Sequence, residues 1–337
     1  MINLKTKYMG IELKNPLIVG ASFLVTEIDN LKKIEEAGAS AIVYKSLFEE
    51  QIQLERVQLD DELDEYTERH AEMITLFPHM EHAGPEEHLH NLRKARESVS
   101  IPFFASLNAI YKETWVEYAK LIEQTGVDGI ELNFYAVPKN HENTALEIEN
   151  QQLEVLKEIK KSVKIPVSVK LSPFYTNPLN FIHQLDKAGA DGMVLFNRFY
   201  QPDIDINSIS HTASHGLSST DENKLPMRYA GLLYSNIAAS ICCSRGIHQG
   251  ADVIKMILAG ADAVQVVSTI YQNKIPHITK IIKDIEGWMY EKNFSSINDF
   301  KGILSKKNTN DPFVYQRAQY IDLLLKSDEL FKKYALR

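Results

Sequence analysis

The sequence predicts an α/β fold, a closed (β/α)8 TIM barrel of eight parallel strands that alternate with helices. The main observation is one pattern that occurs four times: a helix end, a glycine suited to ending the helix, a short turn and an apolar strand. The four segments are 36–45, 124–133, 187–197 and 258–268. Their glycines lie 88, 63 and 71 residues apart, which is too long for one βα unit and fits two.

A second set of segments fills the intervals, at 14–22, 100–108, 164–172 and 238–246. Three of them enter an apolar run through proline, which a first strand position tolerates. The two sets interleave into eight strands. Helical segments lie between many of them, for example 113–124, 147–162 and 250–259. Because the strands alternate with helices and no run of hairpin turns occurs, we expect a parallel sheet, with an open doubly wound sheet as the alternative.

We expect residues 1–310 to form the barrel and residues 311–337 to form a helical extension. The tail from about residue 293, which includes this extension, is expected to pack on the barrel or at a dimer contact, so a homodimer is one expectation for assembly. Two connections, 46–99 and 198–237, are longer than a simple barrel needs. Since long loops at the carboxyl ends of barrel strands often form lids or substrate walls, we expect both at the functional face.

Composition and charge narrow the class of protein. The 337 residues carry a net charge of −8 with a pI near 5.8, which argues against nucleic acid as a partner. The apolar runs are strand-length and no signal-peptide core follows Met1, so we expect no membrane span and a cytoplasmic protein. The only two cysteines, Cys242 and Cys243, are expected to be small core residues, one inside the barrel and one outside.

Lys170 lies within the apolar strand VSVKL, where a lysine is costly to bury without a partner. At the end of a barrel strand, its ammonium can instead face an anionic ligand. The alternative is a lysine whose stem is buried and whose charge reaches solvent. We favour the ligand-facing interpretation.

Other polar and small residues also stand at strand ends, and a barrel brings these ends together at one face. The full set is Ala21, Ser22, Lys45, Ser46, Ser106, Asn108, Asn133, Lys170, Ser172, Asn197, Gly246, Ser268 and Thr269. Two lysines and three asparagines among them predict a site that recognises anions and amides.

The last two strand ends predict a phosphate site. Gly246 follows the seventh strand in SRGIHQGADV, and Ser268 and Thr269 follow the eighth in VVSTIYQNK. Barrels often bind phosphate with these two loops, through main-chain N–H groups and a helix N-terminus. Ordinary tight turns between strand and helix are the alternative.

The 46–99 connection contains five histidines, His70, His79, His82, His88 and His90. His79 and His82 are three residues apart and can share a helix face, where Glu81 or Glu86 would add a carboxylate for a metal. No HExxH spacing occurs, and the segment is rich in polar residues. We therefore favour solvated loop histidines and predict no metal site.

Several motifs, spread over nearly the whole chain, carry a family resemblance: NPLIVGAS, AGASAIVYKS, GIELN, IPVSVKLSPF, GADGMVLFN and RGIHQGADVIKMILAGADAVQVVSTIY. The chain resembles the dihydroorotate dehydrogenases, flavin-dependent (β/α)8 barrels, and most closely their soluble class 1 branch. The resemblance implies FMN as cofactor and hydride transfer to it from dihydroorotate or a related pyrimidine-like cyclic amide. It also implies a soluble electron acceptor, whose identity stays unknown.

The resemblance implies roles for individual residues. Cofactor contacts are implied for Ala21, Ser22, Lys45, Ser46, Asn133, Lys170, Gly246, Ser268 and Thr269. Lys170 matches the lysine near the pyrimidine edge of the flavin, where an ammonium stabilises the negative charge of the reduced ring. Gly246, Ser268 and Thr269 match main-chain amides that hold the FMN phosphate. Substrate contacts are implied for Asn133, Asn197 and Lys45.

The position of the proton-abstracting base departs from the family. Its members follow the fourth strand with Ser-Cys-Pro-Asn or Ser-Ser-Pro-Asn, whose Cys or Ser is the base, and this chain has Ala136 there. Tyr135, the histidines of 70–90 and His141 are near in sequence, although a phenol ionises only near about pH 10. We expect Lys170, Asn133 and Tyr135 as catalytic residues, and weak turnover of dihydroorotate.

Further departures concern both ends of the site. HAEMITLFPH (70–79) replaces the family's Asn-Ser-Met-Gly loop, Arg245-Gly246 replaces a double glycine, and Ser268 replaces the glycine before Thr269. The residues implied to contact the cofactor mostly match those of the family, whereas the part of the site implied to contact the substrate differs from the family. Two other functions stay open: a flavin-free aldolase-like enzyme with a Schiff base on Lys170, and a flavin-holding electron-transfer subunit without its own substrate.

Overall fold

The computed structural model describes residues 2–53, 85–135, 141–198, 202–213 and 216–325. Its strands, in chain order, are β1 (Thr6–Tyr8), β2 (Ile11–Leu13), β3 (Leu17–Val19), β4 (Ala41–Val43), β5 (Leu47–Phe48), β6 (Phe103–Asn108), β7 (Gly129–Phe134), β8 (Val167–Leu171), β9 (Gly192–Leu195), β10 (Pro202–Asp205), β11 (Ser210–Ala213), β12 (Ser240–Ser244) and β13 (Ala263–Val266). Its α-helices are α1 (Ile28–Glu36), α2 (Pro85–Glu97), α3 (Lys112–Glu123), α4 (Ala145–Ser162), α5 (Pro178–Lys187), α6 (Lys224–Leu233), α7 (Gly250–Ala259), α8 (Ser268–Asn273), α9 (His277–Glu291) and α10 (Arg317–Leu325).

Eight of the described strands form a closed parallel barrel in the order β3, β13, β12, β9, β8, β7, β6 and β4. The barrel closes because β4 pairs with both β3 and β6. Seven of the eight segments predicted from the sequence contain one of these strands, and β7 extends one residue beyond the eighth, 124–133. The predicted (β/α)8 barrel is confirmed, and the open doubly wound sheet is wrong.

The barrel has an apolar core on each side of its strands. The outer core packs helices on the strands, and a smaller inner core fills the amino-terminal end of the barrel. Cys242 belongs to the inner core and Cys243 to the outer one, as predicted, and both are fully buried. Tyr8 and Met9 enter the inner core from the β1–β2 hairpin, which was not predicted from the sequence. The main-chain N–H of Met9 donates to Ser240 Oγ at the start of β12, so the hairpin closes this end.

Both long connections contain regular structure. The 46–99 connection includes β5 and α2, and the 198–237 connection includes the β10–β11 hairpin and α6. These helices pack on the barrel like the others. Part of each connection is therefore not the loop that the sequence suggested, because each connection contains the helix that follows its strand.

His88 is a buried residue of helix α2. Its ring meets the Tyr44 ring edge-on, with centroids 5.5 Å apart. Burial, together with the charge of Lys45, lowers the pKa of His88 to about 4. The interpretation as a solvated loop histidine is therefore wrong for His88. His79 and His82 lie outside the described residues, within which no three His, Cys, Asp or Glu side chains come together as metal ligands would.

The segment 293–316 packs on the barrel, as expected. The main-chain N–H groups of Gly302 and Leu304 donate to the carbonyl oxygens of Ile257 and Leu258, each at 2.9 Å. The last described helix, α10, belongs to the predicted helical extension. Across the described ranges, no helix has both the length and the apolar character that crossing a bilayer requires.

Gly260, just after α7, has two reasons to be glycine. Its φ of +127° disfavours side chains, and an added Cβ would lie 2.6 Å from the Cβ of Tyr234. Gly126 has a φ of +83° and no neighbour within 4 Å of an added Cβ.

We expect Gly126→Ala to lower the free energy of unfolding by about 1–2 kcal/mol and Gly260→Ala by about 2–5 kcal/mol. Urea unfolding measures both, and equal losses would contradict the clash with Tyr234.

Candidate active site

A cavity of about 570 Å³ opens at the carboxyl ends of the barrel strands. Most residues that the sequence placed in the site line it: Ala21, Ser22, Lys45, Ser46, Asn133, Tyr135, Lys170, Asn197, Gly246 and Ser268. Small-molecule sites commonly measure about 300–1,000 Å³. Asn108 lines the cavity as well, whereas Ser106, Ser172 and Thr269 do not. Most of the predicted residues therefore come together around a cavity of suitable size.

Lys170 lies at the floor of the cavity and has two partners inside the barrel. Its ammonium lies 3.3 Å from Glu131 Oε1 and 3.1 Å from Gln265 Oε1. The Gln265 amide donates to the other Glu131 oxygen. The Lys170 side chain is only 12% exposed, which is against a lysine that reaches solvent. Glu131 and Gln265 thus offset the cost of burying the ammonium, which faces the cavity.

Glu131 and Gln265 were not predicted from the sequence. Glu131 comes two residues before Asn133 on β7, so the alternation of a strand puts both side chains on one face. Gln265 is the polar residue within the apolar run AVQVV of β13. In both cases, a polar residue within an apolar strand was the sequence signal that could have identified the residue.

Asn133 and Asn197 form an amide pair next to Lys170. Asn197 Nδ2 donates to Asn133 Oδ1 at 2.7 Å, and Asn133 lies opposite Lys170 in the register of β7 and β8. An asparagine amide can make more hydrogen bonds than this one. The pair therefore suits recognition of an amide in a ligand.

Lys45 and Phe23 form one wall of the cavity. The Lys45 ammonium lies 4.1 Å from the centroid of the Phe23 ring, within cation–π range, and burial lowers the pKa of Lys45. Behind Lys45, Ser46 and the buried Ser106 share a hydrogen bond of 2.6 Å. The Ser22 hydroxyl is buried and has no hydrogen-bond partner within the described residues. A polar ligand atom would satisfy this hydroxyl.

Ser218 connects the two predicted phosphate loops. The N–H of Gly246 donates to Ser218 Oγ at 3.3 Å, and the N–H of Ser218 donates to Ser268 Oγ at 3.1 Å. Gly246 has a φ of +64°, and an added Cβ would lie 2.6 Å from both Asn223 N and Ser219 O. The crossing of segment 219–223 therefore requires glycine here. Ser218 was not predicted, because its contacts join segments that are distant in sequence.

Thr269 does not line the cavity. It is fully buried, and its hydroxyl donates to the carbonyl oxygen of His248 at 3.1 Å. The phosphate contact implied for Thr269 was through its main-chain amide at the start of α8, and it stays a prediction.

The base position, Ala136, lies outside the described residues. Tyr135 precedes it and lines the cavity. His88, His90 and His141 are described and are not lining residues: His88 is buried on α2 and the other two are exposed. Among the described residues, Tyr135 is therefore the candidate base that the structure brings to the cavity.

Comparison with known proteins points to one family. A family model described as Dihydroorotate dehydrogenase matches residues 3–289. A protein of Methanocaldococcus jannaschii is 28% identical over 302 residues, which cover 87% of this chain and 95% of that protein. Proteins of Thermoplasma volcanium and Endomicrobium trichonymphae are 28% and 27% identical, over 91% and 90% of this chain and 100% and 98% of their own lengths. All three are named dihydroorotate dehydrogenase B (NAD(+)), catalytic subunit. Because the family model spans most of the chain, this chain belongs to the dihydroorotate dehydrogenase family.

Proposed function

We propose that this chain is an FMN-dependent oxidoreductase that oxidises dihydroorotate, or a related cyclic amide, at a CH–CH bond. The observation that carries the proposal is the Lys170 ammonium at the floor of the cavity, held by Glu131 and Gln265. A fixed cation there stabilises negative charge on a ring bound above it. Bound FMN would supply the hydride-accepting chemistry.

The residues around the cavity fit a flavin. The Ser22 hydroxyl, which has no hydrogen-bond partner in the described part of the chain, and the Asn133 amide suit the polar atoms of a ring above Lys170. At the other end, beside Gly246, the hydroxyls of Ser218 and Ser268 accept main-chain hydrogen bonds, so each can donate its own O–H to a single phosphate. FMN is favoured over FAD because the sequence has no second glycine-rich fingerprint for a dinucleotide.

The remaining polar residues are proposed to bind and orient the substrate. The Asn133–Asn197 pair would bind the cyclic amide, and the Lys45 ammonium would attract a substrate carboxylate. Tyr135, at the same cavity, is proposed to take the proton from the substrate carbon.

The two other functions have less support. An aldolase needs a neutral lysine amine as nucleophile, whereas Lys170 forms an ion pair with Glu131. An electron-transfer subunit without a substrate would use Asn133 for its flavin but would have no use for Asn197, which is assigned to the substrate alone. The names of the three relatives, which include the words catalytic subunit, also favour a protein with its own substrate.

The electron acceptor is proposed by analogy with the relatives. Their names include NAD(+) and describe a subunit. We propose that electrons leave this chain through a partner subunit and reach NAD(+).

The purified protein is expected to show the visible absorption bands of bound flavin and to release FMN on denaturation. Mass analysis of the released cofactor identifies it. Release of FAD, or failure to bind any flavin after reconstitution, would contradict the proposal.

Lys170→Met removes the ammonium and leaves Glu131 buried without its counter-ion. We expect a lower reduction potential of the bound flavin and a loss of about 3–5 kcal/mol in the free energy of unfolding. The matched control is Lys170→Met with Glu131→Gln, which has no unpaired charge. It should regain most of the stability while the potential stays below that of the unmodified protein. Flavin redox titration and urea unfolding measure these effects, and an unchanged potential in Lys170→Met would be evidence against the role of the ammonium.

Dihydroorotate is expected to bleach the flavin band slowly in the absence of oxygen, because Ala136 cannot take a proton. General-base help is worth a factor of roughly 10²–10⁴, so Ala136→Ser or Ala136→Cys should accelerate bleaching. Tyr135→Phe tests the proposed base. In a protein that is otherwise unmodified, it should make bleaching slower still. Fast bleaching that Tyr135→Phe leaves unchanged would mean that another residue is the base.

A further inference from the structure

Two arginines line the cavity beside Gly246, and they share one carboxylate. Arg245 donates to Glu222 Oε2 through Nη2 at 2.6 Å and through Nε at 3.2 Å. Arg198 Nη2 lies 3.8 Å from Glu222 Oε1. Both arginines are lining residues and Glu222 is not. Taken together, these three groups carry a net charge of +1.

The charge of Glu222 depends on its neighbours. Burial acts to raise its pKa, but hydrogen bonds from Arg245 and the N–H of Ser219, with the charges of Arg245 and Arg198, hold that pKa below its ordinary value. Glu222 is therefore a carboxylate at neutral pH, and it holds both guanidinium groups at the cavity.

Arg245 stands at a backbone position that suits glycine. Its φ of +82° lies in the left-handed region, which side chains disfavour. The family resemblance likewise puts a glycine there. Arg198 and Arg245 follow β9 and β12, which are neighbours in the barrel, so their side chains meet at one edge of the cavity. An arginine at such a φ, with its guanidinium at the cavity, indicates that the guanidinium has a function.

We propose that Arg198 and Arg245 bind the cofactor phosphate and make the cavity selective for FMN over riboflavin. This inference rests on the proposed function. A guanidinium presents N–H donors in a planar fork that matches phosphate oxygens. A phosphomonoester carries more negative charge than the one carboxylate of Glu222. Gly246 and the hydroxyls of Ser218 and Ser268 stand at the same end, and Glu222 keeps the guanidinium groups in place before the phosphate binds.

The test is a titration of flavin-free, full-length protein with FMN and with riboflavin, followed by quenching of flavin fluorescence. Arg245→Met removes the charge and keeps the length of the side chain. We expect it to weaken FMN binding about 10- to 100-fold, as for loss of a hydrogen bond between charged groups, and to leave riboflavin binding unchanged. Arg198→Met should act in the same direction, and both effects should shrink as the salt concentration rises.

If Arg245→Met folds poorly, further variants can test the same inference. Arg245→Gly relieves the unfavourable φ and should lose the same preference for FMN. Glu222→Gln keeps an oxygen that can accept from Arg245 but removes the negative charge that competes with the phosphate, so it should strengthen FMN binding several-fold without affecting riboflavin. Lys224→Met is the matched control, because Lys224 pairs with Asp221 at 2.8 Å in the same segment but both are exposed. It should change neither affinity.

Equal losses of FMN and riboflavin affinity in the arginine variants would overturn the inference, because the ion pairs would then only fasten segment 219–222 to the barrel. Equal affinities of the unmodified protein for FMN and riboflavin would also overturn it. If the unmodified protein bound neither flavin, the proposed function would fail, and this inference with it.

Discussion

The ion pair between Lys170 and Glu131 depends on the closure of the barrel. Lys170 and Glu131 lie on adjacent strands, but Gln265 lies on β13, which is separated from β8 by β9 and β12. The bond from Lys170 to Gln265 therefore crosses the barrel interior. A buried ion pair needs further hydrogen bonds to offset its desolvation, and an open sheet would hold β13 far from β8. Fold and site thus depend on one another.

The barrel could be predicted from the sequence because each of its strands has a local signal. A glycine, a turn and an apolar run identify a strand without reference to any other part of the chain. Strand ends then locate the cavity, which is why Lys45, Asn133 and Lys170 were placed correctly at one face. The β1–β2 hairpin was missed because its strands have only three residues each, too few for a periodic pattern.

Contacts between distant segments were the part that local patterns could not predict. Glu222 sits in a short helical turn whose sequence resembles an ordinary capping motif, and its partner Arg245 is 23 positions away. Ser218 reaches Ser268 across 50 positions. Nothing near either residue indicates a cavity, because their positions follow from how the 216–223 segment crosses the loop after β12. The arrangement of side chains at the phosphate end is therefore a product of the tertiary structure.

The amino-terminal hairpin has a consequence for synthesis on the ribosome. Thr6 Oγ1 donates to the carbonyl oxygen of Asp262, and the N–H of Met9 donates to Ser240 Oγ, so the partners are 256 and 231 positions apart. The hairpin emerges long before those partners exist. Contacts between such distant positions form late in folding, since the chain between them must first be ordered. A nascent chain stalled before β12 would therefore lack both of these partners and the part of the inner core that Cys242 and Ala263 supply, so Tyr8 and Met9 would be open to capture by a chaperone.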